Sequence, residues 1–287
     1  MASVIAAGTA ASPPFALEVT PESAGWGHTG LKVLDLAPGQ SVTFATGEDE
    51  ALVLSLGGSA EVQVDDVTQQ LVGRRDVWSG PSDVVYAPLG STVTVTSPDG
   101  GRFAVPTARA TVRLAVGYLP AGDVPVELRG AGPASRQVNN FGVPGVLEAD
   151  RIIACEVLTP GGNWSSYPPH KHDEEREGET RLEEIYYFEV AAGPHGAGLG
   201  YQRVYGHEQA EIDVLAEVRT GDVVLIPHGW HGPSMAAPGY DLYYLNVMAG
   251  PGAERAWLIC DDPDHGWVRE SWATQALDPR LPFGGQA

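Results

Sequence analysis

A chain of 287 residues with 37 acidic and 17 basic side chains carries a formal charge of −20, which opposes binding to nucleic acid or to an anionic membrane. Its two cysteines, Cys155 and Cys260, are too few for a disulfide framework or a thiolate zinc site and fit a reducing cytosol, so a cytoplasmic location is expected. Residues Met1–Pro14 lack the basic and apolar regions of a secretory signal, and no apolar run is long enough to span a bilayer.

The 36 glycines and 23 prolines separate short runs of Val, Leu, Ile and Tyr, the pattern of many strands joined by turns. From Phe15 to about Tyr118 this alternation predicts strands at Leu31–Leu36, Ser41–Phe44, Ala51–Leu56, Ala60–Val64, Asp83–Ala87, Thr92–Val95 and Thr111–Val116, hence a β-sandwich or barrel. Ala121–Val143, with glycines, prolines and few apolar residues, reads as a surface linker. A second strand-rich region opens at Arg151–Val157. Helix is scarce; its best candidate is Trp267–Leu277, read as a packing or interface segment.

An internal echo relates the halves. Asp83–Gly90 resembles Asp222–Gly229 at an offset of 139 residues, and the same offset sets Thr92 against His231. Seven of the eight histidines lie at or after His170, so the second half is expected to carry the chemistry and the first to cover sheet edges or build an interface.

His170 and His172 flank one residue, and alternate residues of a strand share a face, so both imidazoles can turn to one point. A carboxylate opens the β-patterned run Glu184–Phe188, and His231 follows a second such run. Nitrogen donors with one carboxylate suit a first-row divalent ion with open positions. Glu184 is preferred to Glu183 by its place on the strand, while Glu174, Glu175, Glu177 and Glu179 read as a solvated loop. His228 is a rival to His231 that spacing alone does not remove, whereas His195, His207 and His265 have no partner at ligand spacing. Arg203, in the run Tyr201–Tyr205, could face inward and bind a substrate carboxylate, with Tyr186, Tyr201, Tyr243 and Asn246 lining the same cavity. No phosphate-binding loop, dinucleotide fingerprint or nucleophile elbow occurs.

The H-x-H, the strand-leading glutamate and the later P-x-G-x-H resemble the two metal motifs of the cupin superfamily, whose fold is a small antiparallel β-barrel. Longer stretches, Asn163–Asp173, Leu182–Tyr187, Gln202–Tyr205 and Gly239–Pro251, resemble the 5-deoxy-glucuronate isomerases of myo-inositol degradation and, more distantly, the 5-keto-4-deoxyuronate isomerases. The resemblance implies an all-β bicupin of two jelly-roll barrels, with residues 1–125 a degenerate domain and 126–287 the metal-binding one. It implies His170, His172, Glu184 and His231 as ligands, favouring His231 over His228; Glu184 and Tyr186 are expected to be catalytic, and Arg203, Tyr201, Tyr243 and Asn246 to hold an anionic sugar acid. The implied reaction is aldose–ketose isomerisation. Zinc is the expected ion because no redox change is needed, with manganese, iron and nickel suited to the same donors. A homo-oligomer, at least a dimer, is expected. Two departures from the family stand out: it often has arginine where His228 stands, and the insert between His172 and Glu184 is long, leaving room for an acidic lid loop. A cupin dioxygenase and a non-catalytic sugar-binding bicupin are the alternatives.

Overall fold

The computed structural model describes residues 3–285; Met1, Ala2, Gln286 and Ala287, which the two sequence-based domain ranges include, lie outside it. The chain is mostly strand. Among the described residues these strands form three antiparallel sheets of nine, seven and six strands, none of them closed into a barrel. The nine-stranded sheet is built from Leu17–Leu119. The seven-stranded sheet takes Val4–Ile5 at one edge and then Val223–Ile226, Glu183–Val190, Leu242–Ala249, Ile153–Thr159, Arg136–Gly142 and Val126–Arg129. The six-stranded sheet contains Ala210–Val218, Gly200–His207, Trp230–Ala236, His170–Lys171 and Cys260–Asp261, with Trp164–Ser165 paired to Trp230–Ala236.

Several sequence-based boundaries need correction. Ala51–Leu56 and Ala60–Val64 belong to one strand, Asp49–Val64, whose register against Gly101–Arg109 shifts between Ser55 and Gly57. Thr111–Val116 is not a strand: the amides of Thr111 and Val112 donate to the Asp150 carboxylate at 2.6 and 3.0 Å instead of to a ladder, and pairing resumes only at Gly117–Leu119. The expected linker Ala121–Val143 holds the paired strands Val126–Arg129 and Arg136–Gly142. Its buried side chains include Arg136, Gln137 and Asn139, whose internal hydrogen bonds let polar residues occupy a core strand. Of Trp267–Leu277 only Val268–Ser271 is α-helical, followed by a 3-10 turn at Trp272–Thr274, and no side chain caps its start.

The central strands of the seven-stranded sheet are buried on both faces. Ile185, Tyr187, Leu245 and Val247 pack with Leu31, Leu52 and Leu54 of the nine-stranded sheet. On the other face Tyr186, Phe188 and Tyr244 pack with Val204, Val218 and Ala236 of the six-stranded sheet. Each such buried side chain contributes about 1.5–3 kcal/mol. Buried polar groups fix the first contact. Glu50 accepts the phenol of Tyr86 at 2.7 Å and the amides of Asp150, Arg151 and Ile152 at 2.8, 2.6 and 2.6 Å. Arg74 forks onto Glu156, which also accepts from Tyr243 at 2.8 Å and Asn139 at 3.1 Å.

The Arg74–Glu156 pair yields a stability prediction, because removing one partner strands the other charge in the interior. Arg74→Met should cost about 3–5 kcal/mol of unfolding free energy in chemical denaturation, and Arg74→Met/Glu156→Gln should regain part of that loss.

Candidate metal centre

The centre lies between the seven- and six-stranded sheets. His170 is the register partner of His231 on the neighbouring strand, and Glu184 that of Ile226 and Met248. Strand alternation sends Glu184 toward the six-stranded sheet with Tyr186 and Phe188. Glu183 goes the other way, where its carboxylate accepts the amides of Gly27, His28 and Thr29 at 2.8, 2.8 and 3.2 Å.

Ligand atoms of His172, Glu184 and His231 all lie within 4.8 Å of one another, and all three residues are buried. Glu184 Oε2 is 3.0 Å from His172 Nε2 and 3.1 Å from His231 Nε2. The latter approach lacks hydrogen-bond direction, which leaves His231 Nε2 buried without a partner. His170 stands outside this tight trio, its ring centroid 4.5 Å from that of His231. In all three histidines Nδ1 faces a backbone carbonyl, of Pro168, Leu182 and Gly229, at 3.4, 3.3 and 3.2 Å. Nδ1–H groups donating to these carbonyls would leave the Nε2 lone pairs for a metal ion, the tautomer that metal-binding imidazoles require. An orphaned Nε2 among donors of this chemistry fits a divalent ion.

Burial alone would raise the Glu184 carboxyl, but His231 and His172 outweigh it and bring its pKa down to about 2. Burial, then the charges of His231 and His172, hold His170 well below the usual imidazole range. Burial and the nearby Glu184 push the Tyr186 phenol well above its ordinary value. That phenol lies 3.0 Å from Ser166 Oγ, which is equally close to the Tyr244 hydroxyl. Ser166 has φ +47°, and its carbonyl passes so near Gly232 that a Cβ there would stand 1.8 Å away. The residue after His231 must therefore be glycine.

Tyr186, Asn246, Glu184 and His170 line an inner cavity of about 30 Å³, which shares Arg129, Arg136 and His170 with a wider outer one of about 350 Å³. Asn246 Nδ2 is buried without a partner. Arg203 and Tyr201, expected to hold substrate, instead face outward: their register partners are the exposed Leu215 and Glu217, and Arg203 bonds Asp213 and the carbonyls of Val204 and Val214. Tyr243 lies on the opposite sheet face and donates to Glu156. The arginines that do reach the cavity are Arg129, Arg136 and Arg269. The linker reading hid the first two, although two arginines flanking a glycine-proline turn were visible in the sequence. Ser166 had no signal beyond its position in the stretch before His170.

His228 stands apart, its Nε2 3.2 Å from the Glu211 carbonyl. The acidic insert is not simply solvated: Glu179 is buried and accepts from Lys171 Nζ and the amide of Asp173 at 2.8 and 3.0 Å. Asp173, Glu174 and His207 cluster nearby, with Lys171 Nζ 2.7 Å from Asp173 supplying their cation.

The family model for KduI/IolB matches residues 5–268. The chain belongs to the KduI/IolB family. It is 42% identical to the 5-deoxy-glucuronate isomerase of Geobacillus kaustophilus over 258 residues, 89% of this chain and 91% of that protein. Identity to the 5-deoxy-glucuronate isomerase of Bacillus subtilis strain 168 is 35%, over 88% and 92% of the two chains. Among solved structures, an IolB-like protein from Salmonella typhimurium superposes with a TM-score of 0.84 at 34% identity, covering 92% of this chain and 98% of that one. Oxalate decarboxylase from Bacillus subtilis follows 85% of the chain, and 73% of its own, with a TM-score of 0.59 at 12% identity, a likeness of fold alone.

For this KduI/IolB chain, His172→Ala and Glu184→Gln should each strip metal from the purified protein in elemental analysis. His228→Ala should retain the wild-type content.

Proposed function

We propose that the chain is a metal-assisted 5-deoxy-glucuronate isomerase, turning the aldose 5-deoxy-D-glucuronate into the ketose 2-deoxy-5-keto-D-gluconate in myo-inositol degradation. Relatives of that name at 42% and 41% identity span about nine-tenths of the chain. The observation that carries the metal-assisted form is the buried His172–Glu184–His231 trio with its unpartnered Nε2, joined through His170 to a cavity ringed by arginine. His170, His172, Glu184 and His231 would hold the ion, with zinc proposed for a reaction without redox change. A divalent ion, when bound, lowers the cost of negative charge on the substrate's carbonyl and neighbouring hydroxyl oxygens.

The chain's own groups do the rest. Glu184 stays ionised beside its histidines, a ligand rather than a proton reservoir. Tyr186 keeps its proton at neutral pH, so its Oη, positioned by Ser166, donates a hydrogen bond to a substrate oxygen as charge develops there. Asn246 offers a second donor from Nδ2, which has no partner among the described residues. The apolar wall behind them, with Val138, Val157 and Ile259, excludes water and strengthens each of these contacts.

The architecture is read as a bicupin, with residues 1–125 and 126–287 as its two domains. Matching strand orders support it. Val84–Ala87, Asp49–Val64, Gly101–Arg109, Thr29–Leu36 and Leu17–Val19 neighbour one another as do Val223–Ile226, Glu183–Val190, Leu242–Ala249, Ile153–Thr159 and Arg136–Gly142. One segment crosses that boundary: Val4–Ile5 joins the second half's sheet. A small sugar-acid partner, a cytoplasmic location and self-association complete the proposal. Two thiols outside any disulfide fit the location, no helix among the described residues is long and apolar enough to cross a membrane, and exposed Trp164 and Trp267 flanking an apolar groove favour association.

Proton NMR on 5-deoxy-D-glucuronate tests the reading. Wild type should form the ketose without oxygen uptake, and Tyr186→Phe should lower kcat about 10²-fold while keeping its metal. Metal-loaded wild type that leaves the aldose unchanged would falsify the isomerase assignment.

A further inference from the structure

Three guanidinium groups line the outer cavity, and only two of them are paired with carboxylates. Arg129 is bonded to Glu127 through Nε at 2.9 Å and Nη2 at 2.6 Å. Arg269 is bonded in the same two-pronged way to Asp261. Arg136 has no carboxylate partner among the described residues, although it is only 5% exposed. Its bonds are from Nη1 to the carbonyls of Ala134 and Tyr167, at 3.0 and 3.4 Å, and Nε and Nη2 donate to nothing among the described residues.

A buried cation without a counter-ion is costly, and the fold adds to the cost here. Arg129 and Arg136 are register partners across the hairpin Val126–Arg129/Arg136–Gly142, so two like charges lie directly opposite on one face, which is unfavourable in a sheet. Arg269 adds a third. The hairpin turn is shaped to admit the group: Gly130 has φ +78°, and a Cβ there would stand 2.7 Å from Arg136 Nη1. Trp272 takes the planes of Arg136 and Arg269 at 5.4 and 5.3 Å, and Trp257 that of Arg129 at 6.0 Å. These rings hold the forks without neutralising them. Arg136 borders both the outer cavity and the inner one reached by Glu184 and Tyr186. The outer volume of about 350 Å³ is within the usual range for a small ligand.

We propose that Arg136 is the carboxylate-binding residue of the site, and so the residue that selects a sugar acid over a neutral sugar. The free edge of its guanidinium supplies two parallel donors to the carboxylate, while Arg129 and Arg269, already paired with Glu127 and Asp261, fix its direction and raise the local potential. A substrate anchored there by its acid end lies with its other end toward His170. The inference rests on the isomerase reading for the identity of the acid.

The test compares metal-loaded wild type, Arg136→Met and Arg136→Lys. Turnover is followed by proton NMR on 5-deoxy-glucuronate and on its neutral analogue with a hydroxymethyl group in place of the carboxylate, with melting temperature and metal content measured in parallel. Arg136→Met should raise KM for the acid about tenfold or more, the scale of one charge-assisted pair. It should erase most of the preference for acid over neutral sugar, keep its metal, and melt no lower than wild type because an unpaired buried charge has gone. Arg136→Lys, which keeps the charge and loses the fork, should fall between. An unchanged acid-to-neutral preference in both variants, with wild type active, overturns the assignment and leaves the isomerase intact. So does a lowered melting temperature with unchanged KM, which marks Arg136 as a structural clamp on Ala134 and Tyr167. A wild type that neither binds nor converts the acid overturns both.

Discussion

The central strands of the seven-stranded sheet have no solvent face, and the rest of the molecule follows from that constraint. A strand buried on both sides must satisfy two environments with alternate residues, and Glu183–Val190 does so with unusual economy. Its odd-numbered members, Glu183, Ile185 and Tyr187, meet the nine-stranded sheet, and its even-numbered members, Glu184, Tyr186 and Phe188, meet the six-stranded one. Two adjacent carboxylates, Glu183 half-buried and Glu184 buried, are thereby held for different reasons. Glu183 is neutralised by amides of the first half and joins the halves; Glu184 is held by histidines and builds the centre. A slip of one residue in register would exchange them and lose both the joint and the site.

Under the proposed duplication, the same register explains why chemistry is confined to one half. The pair Ala45 and Thr92 occupies the place in the first half that His170 and His231 occupy in the second, and Ala51 with Ala87 corresponds to Glu184 with Ile226. The strands persist while the donors are replaced by alanine and threonine, which carry neither imidazole nor carboxylate. What the first half supplies instead is burial: Leu31, Leu52 and Leu54 cover one face of the seven-stranded sheet, and Glu50 and Arg74 reach across to pin its edge and centre.

Much of this was legible in the sequence because period-two alternation is a local property. The strands Thr29–Leu36, Glu183–Val190 and Val223–Ile226 could be read from their residues, as could the crowding of histidine and glutamate around His170–His172 and Glu184. Two kinds of feature could not. Arg136–Gly142 looked like linker because its polarity is compensated by partners distant in sequence, Glu156 and Phe283 among them. Arg203 looked like an inward cation because alternation gives two faces without saying which is inside. The pairing with Ala210–Val218, whose Asp213, Leu215 and Glu217 are exposed, decides that it is outside.

The relocation of the positive charge also resolves an electrostatic difficulty. A protein of net charge −20 repels an anionic substrate at long range, although salt at physiological strength screens that repulsion beyond about 8 Å. Attraction therefore has to be local, and low-dielectric walls make it stronger than the same charges would be in water. Arg203, on the outer face of its sheet and bonded to Asp213, could not provide it. Three guanidiniums lodged on Trp257 and Trp272 beside His170 can. Under the proposed assignment an incoming carboxylate offsets their mutual repulsion, which concentrates binding energy at the acid end of the ligand.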